Sequence, residues 1–376
     1  MSVRRRLLFA AAGGHGHLQP LLPIAERAIH AGHDVLVTGA ASLGGRAAAC
    51  GLPFAATGPD LVPISAPLTV HDVDYERRAV AEYFVARLGR ARASDLLELC
   101  SKWHPDVVVR DEVDFGAAVA AEAAALPHVP VIVIGAGGFI LPERVHDPLN
   151  ALLAEFGAEQ VGFAMLHRHL TLTPFPESFR DPAHPLPGPL LNYHIAPPPR
   201  SHSRRTGRSV FVTLGTIFNT ESGDLLRTAT LGAAACPDVE RVIVATGEHV
   251  DPASIDPLPS HVAAQRFVDQ DAVLATSDAV VSHGGSGTVL GALKQALPSV
   301  TLPMGADQHL NSERLRILGL GVSLAADAAT VEDIRDALDA VLKASAMAQR
   351  LRRIREELLQ AVGPDEAIAA AASLGR

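Results

Sequence analysis

Apolar runs of strand length recur through the first half of the chain at Leu7 to Ala11, Val35 to Thr38, Val107 to Val109 and Val131 to Ile134, each separated by a stretch long enough to cross back over a sheet. This alternation is the rhythm of βαβ units, because parallel neighbours can be joined only by a crossover of a dozen or more residues. The rhythm breaks at Tyr193 to Arg205, where Pro197, Pro198 and Pro199 stiffen a polar stretch with no apolar period. It resumes at Val210 to Leu214, Val242 to Ala245, Val262 to Ala264, Ala279 to Ser282 and Ser299 to Leu302, with amphipathic stretches Glu313 to Leu318 and Val331 to Leu342 between them. After Gly363 and Pro364 a last Ala-rich helix is predicted from Asp365 to Ser373. The expected architecture is therefore α/β with two Rossmann-like domains: residues 1–195, a linker 196–208, residues 209–363, and a terminal helix in 364–376 that is free to pack back on the first domain. At roughly 150 residues per domain, the 376-residue length agrees, and two such domains imply a cleft.

Composition narrows the function classes. With 48% hydrophobic and 19% charged residues the chain can bury a core. A net charge of −9 argues against nucleic acid, whose affinity comes largely from basic surface. Arg4 to Arg6 precede an apolar run, but Gly13 to His17 cut it short, so a buried first strand is expected rather than a secretion signal. No apolar run approaches the roughly 18 residues of a membrane span, which predicts no integral membrane association. Cys50, Cys100 and Cys236 are scattered without metal-ligand spacing, consistent with a reduced, cytoplasmic setting. The oligomeric state stays open, a homodimer included.

The strand Val280 to Ser282 leads through His283, Gly284 and Gly285 into Ser286, Gly287 and Thr288, and Val289 to Leu293 has the pattern of the following helix. Glycines at a strand-to-helix turn let the backbone approach an anion, while free amides and the positive helix end supply donors for phosphate oxygens. His283 can donate a further hydrogen bond to a leaving diphosphate, or simply cap the turn. A Gly-rich turn alone is a weak signal. Its pairing with Asp307 and Gln308 at the end of the next strand is more specific, since a carboxylate and an amide together hold several sugar hydroxyls. The plainer reading of that pair is a helix cap before Asn311.

At the other end, Gly13 to His17 follow the first strand, and Pro20 is expected at the first helical position before Leu21, placing His17 on a loop at the carboxyl edge of the sheet. The spacing is not that of a dinucleotide fingerprint, no acidic residue ends the second strand, and no third ligand accompanies His15 and His17 for a metal. A histidine suits removal of a proton from a hydroxyl near neutral pH if a carboxylate fixes its second nitrogen. The strand Val107 to Val109 ends in such a cluster, with Asp111 the first choice and Glu112 or Asp114 as alternatives; His15 competes with His17 as the base.

The stretch Val281 to Asn311 resembles the donor signature of GT-B glycosyltransferases of family one, which decorate natural products, and the similarity extends more loosely along nearly the whole chain. The resemblance implies parallel sheets facing across a cleft, with diphosphate bound by Gly285 to Thr288 and His283, and sugar held by Asp307 and Gln308. It implies a stacking residue at Phe267 or Arg266, a pyrimidine edge read at Val268, and a closing loop at Gly215 and Thr216. It places the base at His17, three residues before Pro20, with Asp111 as its activating acid. The implied reaction inverts configuration and moves a sugar from a dTDP- or UDP-activated donor, a co-substrate rather than a cofactor, to a hydroxyl of a small aglycone, without a metal. Residues 60–74 and 135–170 have the length to roof an apolar acceptor pocket, with Phe84, Phe139 and Met165, besides Phe156 and Phe163, as lining or plain core. Two rival readings are a sugar-nucleotide epimerase on the same fold and a non-catalytic sugar-nucleotide-binding protein.

Overall fold

The computed structural model describes residues 3–60, 67–200, 207–216 and 218–375. Residues 201–206 of the expected linker and 61–66 of the expected acceptor roof lie outside them. Seven strands, β1 (Arg6–Ala10), β2 (Asp34–Gly39), β3 (Phe54–Ala56), β4 (Val107–Asp111), β5 (His128–Val131), β6 (Thr171–Thr173) and β7 (Leu190–Asn192), form a sheet in the order β3-β2-β1-β4-β5-β6-β7. Six more, β8 (Arg208–Thr213), β9 (Val239–Ala245), β10 (Val262–Gln265), β11 (Ala279–Ser282), β12 (Ser299–Thr301) and β13 (Gly321–Ser323), form the second in the order β10-β9-β8-β11-β12-β13. The named pairings are all parallel. In each sheet the winding reverses once, between β1 and β4 and between β8 and β11, and a crevice opens beyond the carboxyl ends of those strands.

Two local expectations are corrected. The run Val131 to Ile134 is a strand only up to Val131, because the amides of Val133 and Ile134 donate to Glu112 Oε2 at 3.2 and 3.1 Å instead of joining the ladder. Pro20 does not open a helix: His15–Leu18 forms one helical turn, and the longer helix runs Leu22–His30 with Pro23 in its first turn, so His17 sits on a helical turn rather than in an open loop. The terminal helix is Pro364–Ala372; its Ala367, Ile368, Ala371 and Ala372 join the cluster of Leu7, Phe9 and Ala25 under the first sheet. The chain thus crosses between the halves twice, and the crossings are pinned together by His194 N to Val362 O (2.9 Å) and Val362 N to Asn192 O (3.2 Å). A seam of Ile132, Ala136, Phe175 and Phe179 from the first half packs into the apolar cluster of the second.

A long helical stretch, Val73–Ala79, Val80–Gly89 and Arg90–Trp103, borders the crevice of the first sheet, and its middle ten residues have the wider π-helical pitch. Arg92 on it is 1% exposed and makes a two-pronged ion pair with Asp114, Nε to Oδ1 at 2.9 Å and Nη2 to Oδ2 at 2.5 Å, while Nη1 donates to Thr57 O at 2.9 Å. Asp114 also caps the helix Phe115–Ala123 by accepting from Ala117 N at 3.0 Å. Removing one charge of such a pair strands the other in the interior. Asp114→Asn keeps a competent cap but leaves Arg92 unpaired, and urea denaturation should show a loss of about 3–5 kcal/mol; a loss below about 1 kcal/mol would mean the pair is not what ties these helices.

Candidate active site

The first crevice carries a histidine and a buried carboxylate. Gly13 ends the first strand's exit, and a Cβ there would lie 2.0 Å from His17 Cδ2, so only glycine leaves room for the ring. His17 Nδ1 stands 3.5 Å from Asp111 Oδ1, an ion-pair distance without hydrogen-bond geometry, and the imidazole is a quarter exposed. Asp111 is fixed by the amides of Ala12 (to Oδ2) and Val113 (to Oδ1), both at 2.7 Å. Burial opposes the charged ring of His17, but the Asp111 carboxylate, helped by Asp307 and Asp114, outweighs it and raises the pKa above the usual 6.5. Burial would likewise raise the Asp111 pKa, yet His17 and the two amides hold it below the ordinary carboxylate value.

The open alternatives are sorted by these contacts. His15 is turned toward the second half, Nε2 lying 3.9 Å from Glu248 Oε2. Glu112 is spent on the Val133 and Ile134 amides, and burial pushes its pKa up to about 7. Asp114 is spent on Arg92. Of the five residues, only His17 and Asp111 face each other.

The second crevice holds the glycine-rich turn. Gly284 has φ +84°, and Gly285 precedes the helix Ser286–Lys294, whose ladder begins with Val289 N to Gly285 O at 3.0 Å. The amides of Ser286, Gly287 and Thr288 therefore have no carbonyl one turn back and point out of the positive helix end. His283 is wedged between two glycines: a Cβ on Gly215 would lie 2.7 Å from its Nε2, and one on Gly285 would lie 2.3 Å away. Burial pushes its pKa down to about 4, with the Thr213 backbone opposing, so the ring is neutral near pH 7. Gly215, at φ +84°, follows β8, and Thr216 beside it is exposed. Thr288 Oγ1 faces Gln270 Oε1 at 3.4 Å.

Asp307 precedes the helix Gln308–Ile317 and comes into the same crevice. Burial raises its pKa, against the pull of Ser286, Asn311 and His17; Gly135 N donating to Ser286 Oγ at 2.8 Å, and His15 beside Glu248, set the two crevices face to face. Gln308 is 1% exposed, and its Oε1 accepts from Met304 N (2.8 Å) and Gly305 N (3.3 Å), so its carbonyl end is committed to shaping the preceding turn. At the outer end of the second crevice, past β10, Phe267 is 59% exposed, Arg266 is half-exposed with Nη1 donating to Glu248 O at 2.9 Å, and Val268 packs against the apolar cluster of Phe211 and Leu274. A large aromatic left open just past the carboxyl end of a strand is a ready stacking face.

Beside His17, Phe84 from the π-helical stretch lies with its ring 6.4 Å away at 26°. Phe139 is 9% exposed in the same apolar cluster, and Met165 there has no exposed surface at all. Of the two readings held for Met165, its burial fits core, and the long connection 135–170 contains the helix Pro142–Glu155. A cavity of about 380 Å³ bordered by Phe175, Arg180, Leu186 and Arg314 lies between the halves, but none of the crevice residues above lines it. Two residues escaped the sequence reading. Asn219 Nδ2 ties Gly215 O to Thr246 O, and Asn311 binds Asp307, Ser286 and Gly284. For Asn311 a signal existed, since it stands four residues from Asp307 on one helical face. Among the described residues no helix is long and apolar enough to cross a membrane.

Comparison with known proteins agrees with this fold. Residues 228–374 match the family described as "Erythromycin biosynthesis protein CIII-like, C-terminal domain". The chain is 25% identical to the 3-alpha-mycarosylerythronolide B desosaminyl transferase of Saccharopolyspora erythraea, over 96% of each chain. Among solved structures it is similar to the calicheamicin glycosyltransferase CalG4, with a TM-score of 0.81, 25% identity and coverage of 99% and 98%. It also shares its fold with the glycosyltransferase VinC, solved with dTDP, at a TM-score of 0.76, 22% identity and coverage of 98% and 99%. With two parallel sheets whose crevices confront a histidine–carboxylate pair with a glycine-rich helix start, the chain has the two-domain α/β architecture of GT-B glycosyltransferases and is similar, along nearly its whole length, to those that act in natural-product biosynthesis.

Proposed function

We propose that the protein is an inverting transferase that moves a sugar from a dTDP- or UDP-activated donor to a hydroxyl of a largely apolar polyketide, macrolide, enediyne or similar aglycone. The observation that carries this reading is the confrontation of His17, paired with Asp111, and Asp307, beside the amides of Ser286 to Thr288, across one cleft bridged by Gly135 to Ser286 and Ala136 to Asn311. In this scheme residues 1–195 hold the acceptor and residues 209–363 the donor, joined by 196–208, with 364–376 returning to the first domain.

His17 takes the proton of the acceptor hydroxyl and Asp111 stabilises the imidazolium that forms. The oxygen attacks the anomeric carbon from the face opposite the diphosphate, so configuration inverts. The leaving group gains charge as its bond to the sugar breaks, and the helix amides with the neutral His283 donate to it. That arrangement calls for no metal. Asp307 holds sugar hydroxyls, Phe267 stacks on the base, Val268 offers its edge contact, and Phe84 forms the acceptor wall beside the base. Gly215 and Thr216 close over the diphosphate. Enclosure of the reacting atoms excludes the water that would otherwise hydrolyse the donor. The dTDP bound in VinC supports the donor class, and the aglycones named for the relatives support the acceptor class.

Mass spectrometry of a panel crossing dTDP- and UDP-sugars with such aglycones should reveal a product heavier by one sugar, and NMR of its anomeric centre should show inversion; a retained centre would rule out single displacement. His17→Ala should lower kcat by about 10²–10⁴-fold while calorimetry finds donor affinity nearly unchanged. Substantial turnover in that variant would remove His17 as the base. The base must be neutral to accept a proton, and its pKa is raised, so kcat/KM should be low in acid and rise through a value above 6.5. Asp111→Asn should move that limb downward while reducing the plateau; an unmoved limb would dissociate the carboxylate from the titration. Phe267→Ala should raise donor KM about tenfold with kcat little changed, given roughly 1–3 kcal/mol for a base stacked on an aromatic ring; an unchanged KM would place the base elsewhere.

A further inference from the structure

Asn311 has no exposed surface, and its side chain is fully committed. Nδ2 donates to Gly284 O at 3.0 Å, to Ser286 Oγ at 2.9 Å and to Asp307 Oδ2 at 2.8 Å, while Oδ1 accepts from Ala136 N at 3.0 Å. Ser286 Oγ in turn donates to Asp307 Oδ2 and accepts from Gly135 N at 2.8 Å. One carboxamide therefore joins the phosphate turn, the sugar-holding carboxylate and a loop of the opposite domain. The amides of Gly135 and Ala136 lie just past β5, so they reach Ser286 and Asn311 only when the halves are together.

We propose that Asn311 is a positioning residue that orients the Asp307 carboxylate toward the donor sugar and makes that orientation depend on domain closure. The proposal rests on the donor-site reading above. With Ala136 N on Oδ1, the carboxamide cannot flip, because a flip would set its NH2 against an amide N–H and its oxygen against the Asp307 carboxylate. Its Nδ2 therefore stays aimed at Asp307 Oδ2 and Ser286. In the open form both bonds from the opposite domain are absent, and the amide, Ser286 and Asp307 lose the contact that selects one arrangement. The sugar is then gripped in its reactive orientation only after the base-bearing domain has arrived, which limits hydrolysis of the donor by water.

Asn311→Asp provides the test, since it has the same shape and keeps the acceptor for Ala136 N while placing a second carboxylate against Asp307. Two carboxylates at that distance share a proton, and the shared proton restores one donor as pH falls. The probes are dTDP and UDP alone, which lack the sugar, together with turnover of the donor and acceptor pair found in the panel. The variant should bind the nucleoside diphosphate within about threefold of wild type and lose at least about tenfold in kcat near pH 8, the size of one lost charge-assisted hydrogen bond. Its activity relative to wild type should rise toward about pH 6. In an Asp307→Asn background, Asn311→Ala should cost far less than it does alone. A flat activity ratio across pH, a loss of nucleoside diphosphate affinity as large as the loss of turnover, or an undiminished cost in the Asp307→Asn background would overturn the assignment of Asn311 alone. A wild type that binds neither dTDP nor UDP would instead sink the donor-site reading on which it rests.

Discussion

Both halves of the protein are organised by one topological constraint, the reversal of winding in the middle of each parallel sheet. At β1 and β4, and again at β8 and β11, the crossovers leave toward opposite sides, so the carboxyl ends of two adjacent strands are not covered. His17 follows β1 and Asp111 ends β4; Gly215 follows β8 and His283 follows β11. Each half thus pairs residues more than 60 positions apart without any special local feature beyond the glycines that let the imidazoles lie close to the backbone. The apolar seam of Ile132, Ala136, Phe175 and Phe179 then sets the two uncovered places opposite one another.

Within this frame, environment rather than residue type distributes the roles of the acids at the end of β4. Asp111, Glu112 and Asp114 are within four positions and all buried. One is held low by His17 and two amides, one is pushed up by burial and bonded to a neighbouring loop, and one balances an arginine on an adjacent helix. Burying three carboxylates so close together is tolerable only because each has a separate partner. Arg110, in the same strand, adds a further compensating charge and donates to the carbonyls of Asp111, Glu112 and Leu166.

Much of this was legible beforehand. The long apolar strands were placed within a few residues, because a strand buried on both faces must be apolar throughout. Of the five three-residue strands only β12 was placed, because it continues into apolar Leu302; β3, β6, β7 and β13 were not, since so short a run carries no period. The glycine-rich turn and Asp307 were visible as motifs, and the structure brings them into one crevice through Ser286 and Asn311. The family spacing favoured His17 over His15 and Asp111 over Glu112 and Asp114, but the residues by themselves left both choices open, because they depend on where a helical turn and a loop direct side chains. Asn311 was overlooked although it stands one helical turn from Asp307, because that spacing does not reveal the partners it takes from separate segments. Gln308 shows the converse, a motif residue whose carbonyl end is visibly taken up by its own turn.

The return of the terminal helix Pro364–Ala372 to the first sheet has a mechanical consequence. Were the halves joined by a single strand of chain, one could swivel freely about it. Two crossings, stitched side by side through Asn192, His194 and Val362, behave like the two knuckles of a door hinge. They permit a swing about one axis and resist twisting and sliding. A jaw guided in this way meets its counterpart in the same register at every stroke, so the accuracy with which the crevices confront each other is shared between the apolar seam and a backbone stitch far from both.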